Sequence, residues 1–177
     1  GVTVERDSLT NEPTGVIYGG DNWLSQHVIS PHKTHEWQAG VSRLQTFLLS
    51  CGITALIDAT PTNTKNDVQF WLSQIENGWP IMLQFMCNEN IHDELFHFLK
   101  NEVPDPLRKQ LEIGAIKVVM EANPELYPEL DELVRIAVIA ARKDASLAIH
   151  VVDPEMTWTA IQAVKHATEV FPKSRSI

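Results

Sequence analysis

The sequence predicts an α/β fold with about four parallel strands, each followed by a helix. The candidate strands, residues 53–58, 81–87, 113–120 and 147–152, are apolar nearly throughout, which is typical of parallel strands covered by helices. The segments between them carry apolar residues at helical spacing, and alternating strands and helices imply right-handed crossovers. The pattern is compatible with an open doubly wound sheet or with an arc of a (β/α) barrel.

The elements can be justified in chain order within a single domain predicted over residues 1–177. Residues 1–33 form an irregular N-terminal segment, in which a loose hairpin flanks the turn-forming residues 11–15. A helix begins at Thr34 and is ended by Gly52, because glycine is common just past a helix C-terminus. Four later helices are predicted. The first has an apolar stripe from Val68 to Ile75 and ends at Asn77-Gly78, and the next two run from Ile91 to Asn101 and from Glu129 to Lys143. The last begins at Pro154, is capped by Asp153, and ends at Phe171-Pro172.

Composition and charge exclude several function classes. The net charge of −9 argues against a nucleic-acid partner, since phosphate binding needs clustered Lys and Arg. No apolar run approaches membrane-spanning length, so we expect no membrane partner. Cys51 and Cys87 are interpreted as buried, reduced thiols, which suits a cytoplasmic protein. Glycine motifs of dinucleotide and P-loop sites are absent, as is the Gly-x-Ser-x-Gly nucleophile motif.

Histidines that are close in sequence do not predict a metal site. His32 and His35 flank a predicted helix start, where side chains face solvent. His92 and His97 are five residues apart on a predicted helix, a separation of about 500° of rotation, so they point to different faces. We interpret all four as surface or structural residues.

Polar residues near the carboxyl ends of the predicted strands are the candidate site. Lys117 lies inside an apolar strand, and lysine is almost never fully buried without a partner. Either a strand edge lets it reach water, or it is directed into a site. His150 lies at or near the carboxyl end of the fourth strand, where parallel α/β folds collect ligands, and is either a structural residue or a ligand. Together with Asp58, Glu121 and Asp153, these residues would form a rim of possible metal ligands.

Three strand motifs resemble one known family in their order and spacing. They are Gly-Ile-Thr-Ala-Leu-Ile-Asp-Ala at 52–59, Gly-Ala-Ile-Lys at 114–117 and Ala-Ile-His-Val-Val-Asp at 148–153, and Glu-Pro-Thr-Gly at 12–15 resembles a turn of the same family. The resemblance is to the metal-dependent amidohydrolase superfamily, in the branch of N-substituted formamide deformylases. It covers nearly the whole chain and implies a TIM-like (β/α) barrel, of which this chain is a part.

The resemblance also implies a function. Lys117 and His150 match metal ligands of the family, and the lysine can be carboxylated there to bridge two metals. The cofactor would be a divalent metal, zinc by expectation, and the reaction would be hydrolysis of C–N bonds in amides or related small-molecule substrates. The family's first-strand His pair and sixth-strand His are not among these residues, and Glu121-Ala122 replaces its usual Asp-Gly. We therefore expect an inactive segment or a degenerate relative of such a hydrolase, or alternatively a non-catalytic α/β module that binds a partner or a small molecule.

An arc of four strands also predicts association. A closed barrel fills its interior with side chains from all its strands, whereas an arc leaves that face open and two strand edges unpaired. An apolar patch of that size is not expected on a monomer. We expect a homo-oligomer, with a two-fold dimer as its simplest form.

Overall fold

The structure is a computed structural model that describes residues 2–20, 23–24, 27–28, 34–122 and 126–172. The chain forms two compact units, Gly1–Thr46 and Phe47–Ile177. The single domain predicted for the whole chain stays a prediction. Among the described helices, none has the length and apolar character needed to cross a membrane.

The first unit contains the predicted hairpin. Strand β1 (Thr3–Arg6) pairs antiparallel with strand β2 (Pro13–Tyr18). The turn between them is held by Asp7, whose carboxylate accepts hydrogen bonds from the backbone N–H groups of Leu9 and Thr10. These hydrogen bonds, the one from Thr10 first, hold the pKa of Asp7 below its ordinary value. The local turn chemistry therefore sets the hairpin.

The elements that follow alternate largely as predicted. Helix α1 runs from the first unit into the second. In chain order the elements are α1 (Thr34–Ser50), β3 (Ala55–Asp58), α2 (Lys65–Glu76), β4 (Met82–Cys87), α3 (His92–Glu102), α4 (Asp105–Arg108), β5 (Leu111–Val119), β6 (Glu121–Ala122), β7 (Leu126–Tyr127), α5 (Leu130–Arg142), β8 (Leu147–His150) and α6 (Pro154–Val170).

Four of these strands form one parallel sheet in the second unit. Its order is β3-β4-β5-β8, and all three neighbouring pairs are parallel. The sheet curls into a half-barrel, and helices follow its strands along the chain. The predicted α/β class and the four parallel strands are confirmed.

Local sequence explains where the helices begin and end. Thr64 and Asp67 form a capping box at the start of α2, because each side chain accepts the backbone N–H of the other. Gly52 and Gly78, which follow α1 and α2, have φ values of +73° and +95°. Only glycine adopts such values without strain, so these two residues end their helices as predicted.

Within the described residues of the second unit, helices cover one face of the sheet and not the other. Because side chains alternate along a strand, Ile116 and Val118 of β5 point to the same face, where both are buried. They belong to a core made with α5 and α6. Its buried members are Ile116, Val118, Met120, Leu133, Ile136, Ala137, Ala140, Ala141, Ala145, Met156, Ala163 and Ala167. We call the opposite side, which includes Met82, Gln84, Lys117 and His150, the open face.

Three local predictions need correction. The last strand ends at His150 and not at 152, since Asp153 already caps the next helix. The antiparallel pair β6–β7 was not predicted, because two-residue strands are too short to show a period. Cys51 is exposed and not buried, as it lies in the turn after α1. Cys87 is buried as expected, and desolvation raises its pKa to about 11.

The helix-covered core predicts unequal effects of two leucines on α5. Leu133 is fully buried, whereas Leu130 is 42% exposed. Leu133→Ala should lower the free energy of unfolding by about 2–5 kcal/mol, since it removes packed atoms and leaves a cavity. Leu130→Ala is the matched control and should cost much less. Urea denaturation measures both, and equal losses would contradict this account of the core.

Candidate functional site

Lys117 lies on the open face of a central strand. Strand β5 is paired on both sides, with β4 and with β8, so the strand-edge explanation for this lysine does not apply. Its neighbours Ile116 and Val118 point into the helix-covered core, and alternation directs Lys117 the other way. Lys117 is half-buried, and its ammonium group has no hydrogen-bond or ion-pair partner among the described residues.

His150 is the last residue of β8 and is exposed. Its backbone carbonyl accepts a hydrogen bond of 3.1 Å from the N–H of Met120, which ties the end of β8 to the residue after β5. Its ring has no hydrogen-bond partner within the described part of the chain. The preceding Ile149 packs against the core, so the ring lies on the open face.

Register brings Lys117 and His150 to one region of that face. Lys117 pairs with Ala148, and His150 pairs with Val119, so the two are diagonal neighbours on adjacent strands. A strand spacing of about 4.8 Å and two residues of rise put their Cα atoms about 8 Å apart. A lysine side chain is long enough to span most of that separation. The two candidate ligands therefore share one face at the carboxyl ends of two neighbouring parallel strands.

Asp58 does not join them. It pairs with Phe85, which is 1% exposed and lies on the helix-covered side of the sheet. The Asp58 carboxylate accepts a hydrogen bond of 3.0 Å from the N–H of Thr60. Its role is to hold the turn after β3, and the sheet lies between it and Lys117.

The other two rim carboxylates are also placed by local structure. Asp153 is the N-cap of α6, and its carboxylate accepts a hydrogen bond of 2.8 Å from the N–H of Met156. Glu121 is exposed in the short β6–β7 pair, opposite Tyr127. Across residues 2–122 and 126–172, as far as they are described, no three His, Cys, Asp or Glu side chains form a group that could hold a metal.

Two polar residues of the open face were missed by sequence reasoning. Gln84 on β4 pairs with Glu112 on β5, and its amide donates a hydrogen bond of 2.6 Å to the Glu112 carboxylate. Gly114 lies beside them at a register shift, where an added Cβ would come within 2.6 Å of the Gln84 side chain. Glycine in the Gly-Ala-Ile-Lys motif is thus explained by this close approach. The alternation of Leu111, Glu112 and Ile113 was the signal available in the sequence.

A separate polar cluster lies on the helix-covered side. The Nε2–H of His92 donates to the Gly114 carbonyl oxygen at 3.2 Å, and the ring's buried Nδ1 is 3.7 Å from Asp93. Lys143 at the end of α5 forms an ion pair of 2.9 Å with Asp93 and donates to the carbonyl of Glu89. This cluster connects α3, α5 and β5, and we interpret it as structural.

The described side chains of the other histidines considered above are consistent with surface or structural roles. His97 is exposed, and its ring nitrogen donates to the Asp93 carbonyl oxygen at 2.7 Å, while His92 is buried. The two therefore point to different faces of α3, as predicted. His32 and the side chain of His35 lie outside the described residues.

The role of Asp153 as a cap is testable with two substitutions. Asp153→Ala removes the acceptor for the Met156 N–H and should lower the free energy of unfolding by about 1 kcal/mol. Asp153→Asn should retain most of the stability, because asparagine caps helices about as well as aspartate. Thermal and urea denaturation compare the two. A large loss in both variants would show that the charge, and not the cap, is required.

The Asp93–Lys143 pair predicts a dependence of stability on acid. The hydrogen bond from Lys143 holds the pKa of Asp93 below its ordinary value of 3.8. A carboxyl with a depressed folded-state pKa stabilises the fold above that ordinary value, and the contribution is lost as pH falls through the folded-state pKa. Because Asp93 is largely exposed, solvent screening limits the effect to less than about 1 kcal/mol.

Asp93→Asn should therefore lower stability at neutral pH and flatten the loss of stability below about pH 4. Glu94→Gln is the matched control, since the Glu94 carboxylate has no ion-pair partner in the part of the chain that the structure describes. Urea denaturation from pH 7 to pH 2 measures both variants. Superimposable curves for Asp93→Asn and the unmodified chain would contradict this role for the pair.

The chain was also compared with known proteins. No protein-family model, no curated protein and no solved structure matches it. The resemblance of its strand motifs to the amidohydrolase superfamily stays a prediction.

Proposed function

We propose that this chain is a segment of a metal-dependent amidohydrolase-like protein that hydrolyses C–N bonds of small amides. One observation supports this most. Lys117 and His150, the two residues that the motifs assign as ligands, share the open face at the carboxyl ends of adjacent parallel strands. Neither side chain is engaged by another described residue, so neither has an evident structural role.

The proposal assigns the sheet to a TIM-like barrel. In such barrels the helices cover the outside, the inner face is lined by side chains, and function collects at the carboxyl ends of the strands. The half-barrel, its single covered face and the position of His150 at the end of β8 support this assignment. Under it, the open face is the barrel interior.

The two residues fit part of a metal site and not a whole one. A neutral imidazole is a common ligand, and a lysine becomes one when carboxylation converts its ammonium into a carbamate anion. Lys117 is suited to that change because it is half-buried without a partner, where an ammonium is unfavourable. A metal site needs three or four ligands, and Lys117 and His150 would be two of them. The remaining ligands would have to come from elsewhere.

This partial fit limits what the isolated chain can do. A bound divalent metal, zinc by our expectation, would lower the pKa of a coordinated water and polarise the substrate carbonyl. Lys117 and His150 would hold it on the open face, and the motifs assign no residue of this chain as the catalytic acid or base. We therefore propose that the isolated chain has no amidase activity.

A second candidate is a non-catalytic α/β module that binds a partner or a small molecule. It is favoured because no three His, Cys, Asp or Glu side chains in the described ranges form a group that could hold a metal. It also predicts that His150 is paired with backbone, whereas the ring has no such partner there. For this reason we place it second.

Titration of zinc into the purified chain in bicarbonate buffer, monitored by calorimetry, tests the proposal. His150→Ala and Lys117→Met should each weaken zinc binding about tenfold or more. Loss of a residue that only hydrogen-bonds to a metal ligand already has an effect of that size, and these two residues are the proposed ligands themselves. His97→Ala, which removes another exposed histidine, is the matched control and should change nothing. Equal zinc affinity in the unmodified chain and in both ligand variants would refute the ligand assignment.

Carboxylation of the lysine has its own readout. With ¹³C-labelled bicarbonate, NMR should show a carbamate carbon signal that Lys117→Met abolishes. Measurable metal-dependent amide turnover by the isolated chain would contradict its proposed inactivity while leaving the ligand assignment intact.

A further inference from the structure

The open face of the parallel sheet carries apolar side chains that nothing in the described chain covers. Ile57 on β3 is 60% exposed and Met82 on β4 is 51% exposed. Sheets made only of parallel strands are found almost exclusively with both faces covered. In the part of the chain that the structure describes, helices cover only one face of this sheet, so the apolar side chains of the other face are left exposed.

Among the described strands, neither edge of this sheet has a further pairing partner. Strands β3 and β8 are the edge strands, since β3 pairs only with β4 and β8 pairs only with β5. The carbonyls of Ser146 and His150 accept hydrogen bonds from β5, so in a regular ladder the backbone groups of Leu147 and Ile149 point outward. Strand β8 contains neither the lysine nor the proline that usually protects such an edge.

We propose that two copies of this chain close their half-barrels into one eight-stranded barrel, with β8 of each copy pairing in parallel with β3 of the other. Four strands are half of the number at which a barrel interior is just filled by side chains. A two-fold axis along the barrel axis keeps all eight strands parallel and removes every edge. Pairing β8 with β8 about a two-fold axis perpendicular to the strands would instead be antiparallel and would leave both β3 edges open.

The apolar surface near the edges supports a stable contact. Beside the end of β8, a depression of about 470 Å³ is lined in part by Val152, Trp158 and Ile161, which are 70%, 64% and 51% exposed. With Ile57 and Met82, these side chains expose on the order of 500 Å² per copy, taking the full area of a large side chain as about 150–250 Å². A standard interface buries about 800 Å² per partner, and the strand backbones would add to the side-chain area.

The open face adds no net charge to the contact, although each chain carries a net −9. Among the described strand residues, the charged side chains on the open face are those of Glu112 and Lys117. Their charges are opposite in sign and cancel within each copy. Gln84 already donates a hydrogen bond to Glu112. This association does not depend on metal binding, so it can stand if the proposed function fails, and the reverse also holds.

Light scattering after size-exclusion chromatography tests the proposal on the full chain at micromolar concentration. We expect a mass of twice the 19.9 kDa of one chain. Trp158→Lys places a charge at the edge of the contact without touching the core, and should raise the dimer dissociation constant about tenfold or more. Phe96→Lys is the matched control. Phe96 is 50% exposed, but it lies on α3, which connects the central strands β4 and β5 along the chain and does not follow an edge strand. A monodisperse single-chain mass would overturn the proposal.

Disulfide cross-linking distinguishes the pairing of edges. In a Cys51→Ser background, chains carrying Ile57→Cys are mixed with chains carrying Ala148→Cys and oxidised. The proposed barrel places β3 of one copy beside β8 of the other, so the mixture should cross-link and each variant alone should not. Cross-linking of Ala148→Cys alone would show β8–β8 pairing and overturn the proposal, as would a dimer that no combination cross-links.

Discussion

The pairing of β5 with β8 is the constraint on which the rest of the larger unit depends. Its register sets which side chains of both strands face α5 and α6, and burial of Ile116 and Val118 against those helices fixes that choice. A shift of one residue would bring Lys117 to the covered side, where an unpaired ammonium is very unfavourable. The apolar core therefore determines where the polar residues of the open face can lie.

Gly114 connects the two sides of the sheet at one point. On the open face it allows the close approach of Gln84, and its carbonyl accepts a hydrogen bond from the buried His92 on the helix side. The register shift between β4 and β5 occurs at this position. The Gly-Ala-Ile-Lys motif, on which the family resemblance partly rests, therefore also has a structural explanation. Its glycine is required for packing against Gln84, independently of any role of Lys117.

The carboxylates near the strand ends illustrate how local hydrogen bonds remove residues from a potential site. Asp58 and Asp153 both follow strands and both accept backbone N–H groups of the segment that comes next. Such turns and caps are common uses of aspartate, since its short side chain reaches nearby backbone donors. Lys117 and His150 remain on the open face because no comparable local partner exists for them among the described residues.

The sequence by itself determined the class of the fold, the four parallel strands and the ends of helices such as α1 at Gly52, because apolar runs and capping residues act over a few neighbouring positions. It also placed His150 near a strand end. Only the tertiary structure decided that Lys117 and His150 share a face, that Asp58 lies on the other, and that Gln84 meets Glu112. Those relations depend on register between strands distant in sequence, and register is fixed by burial of a whole face and not by any local pattern.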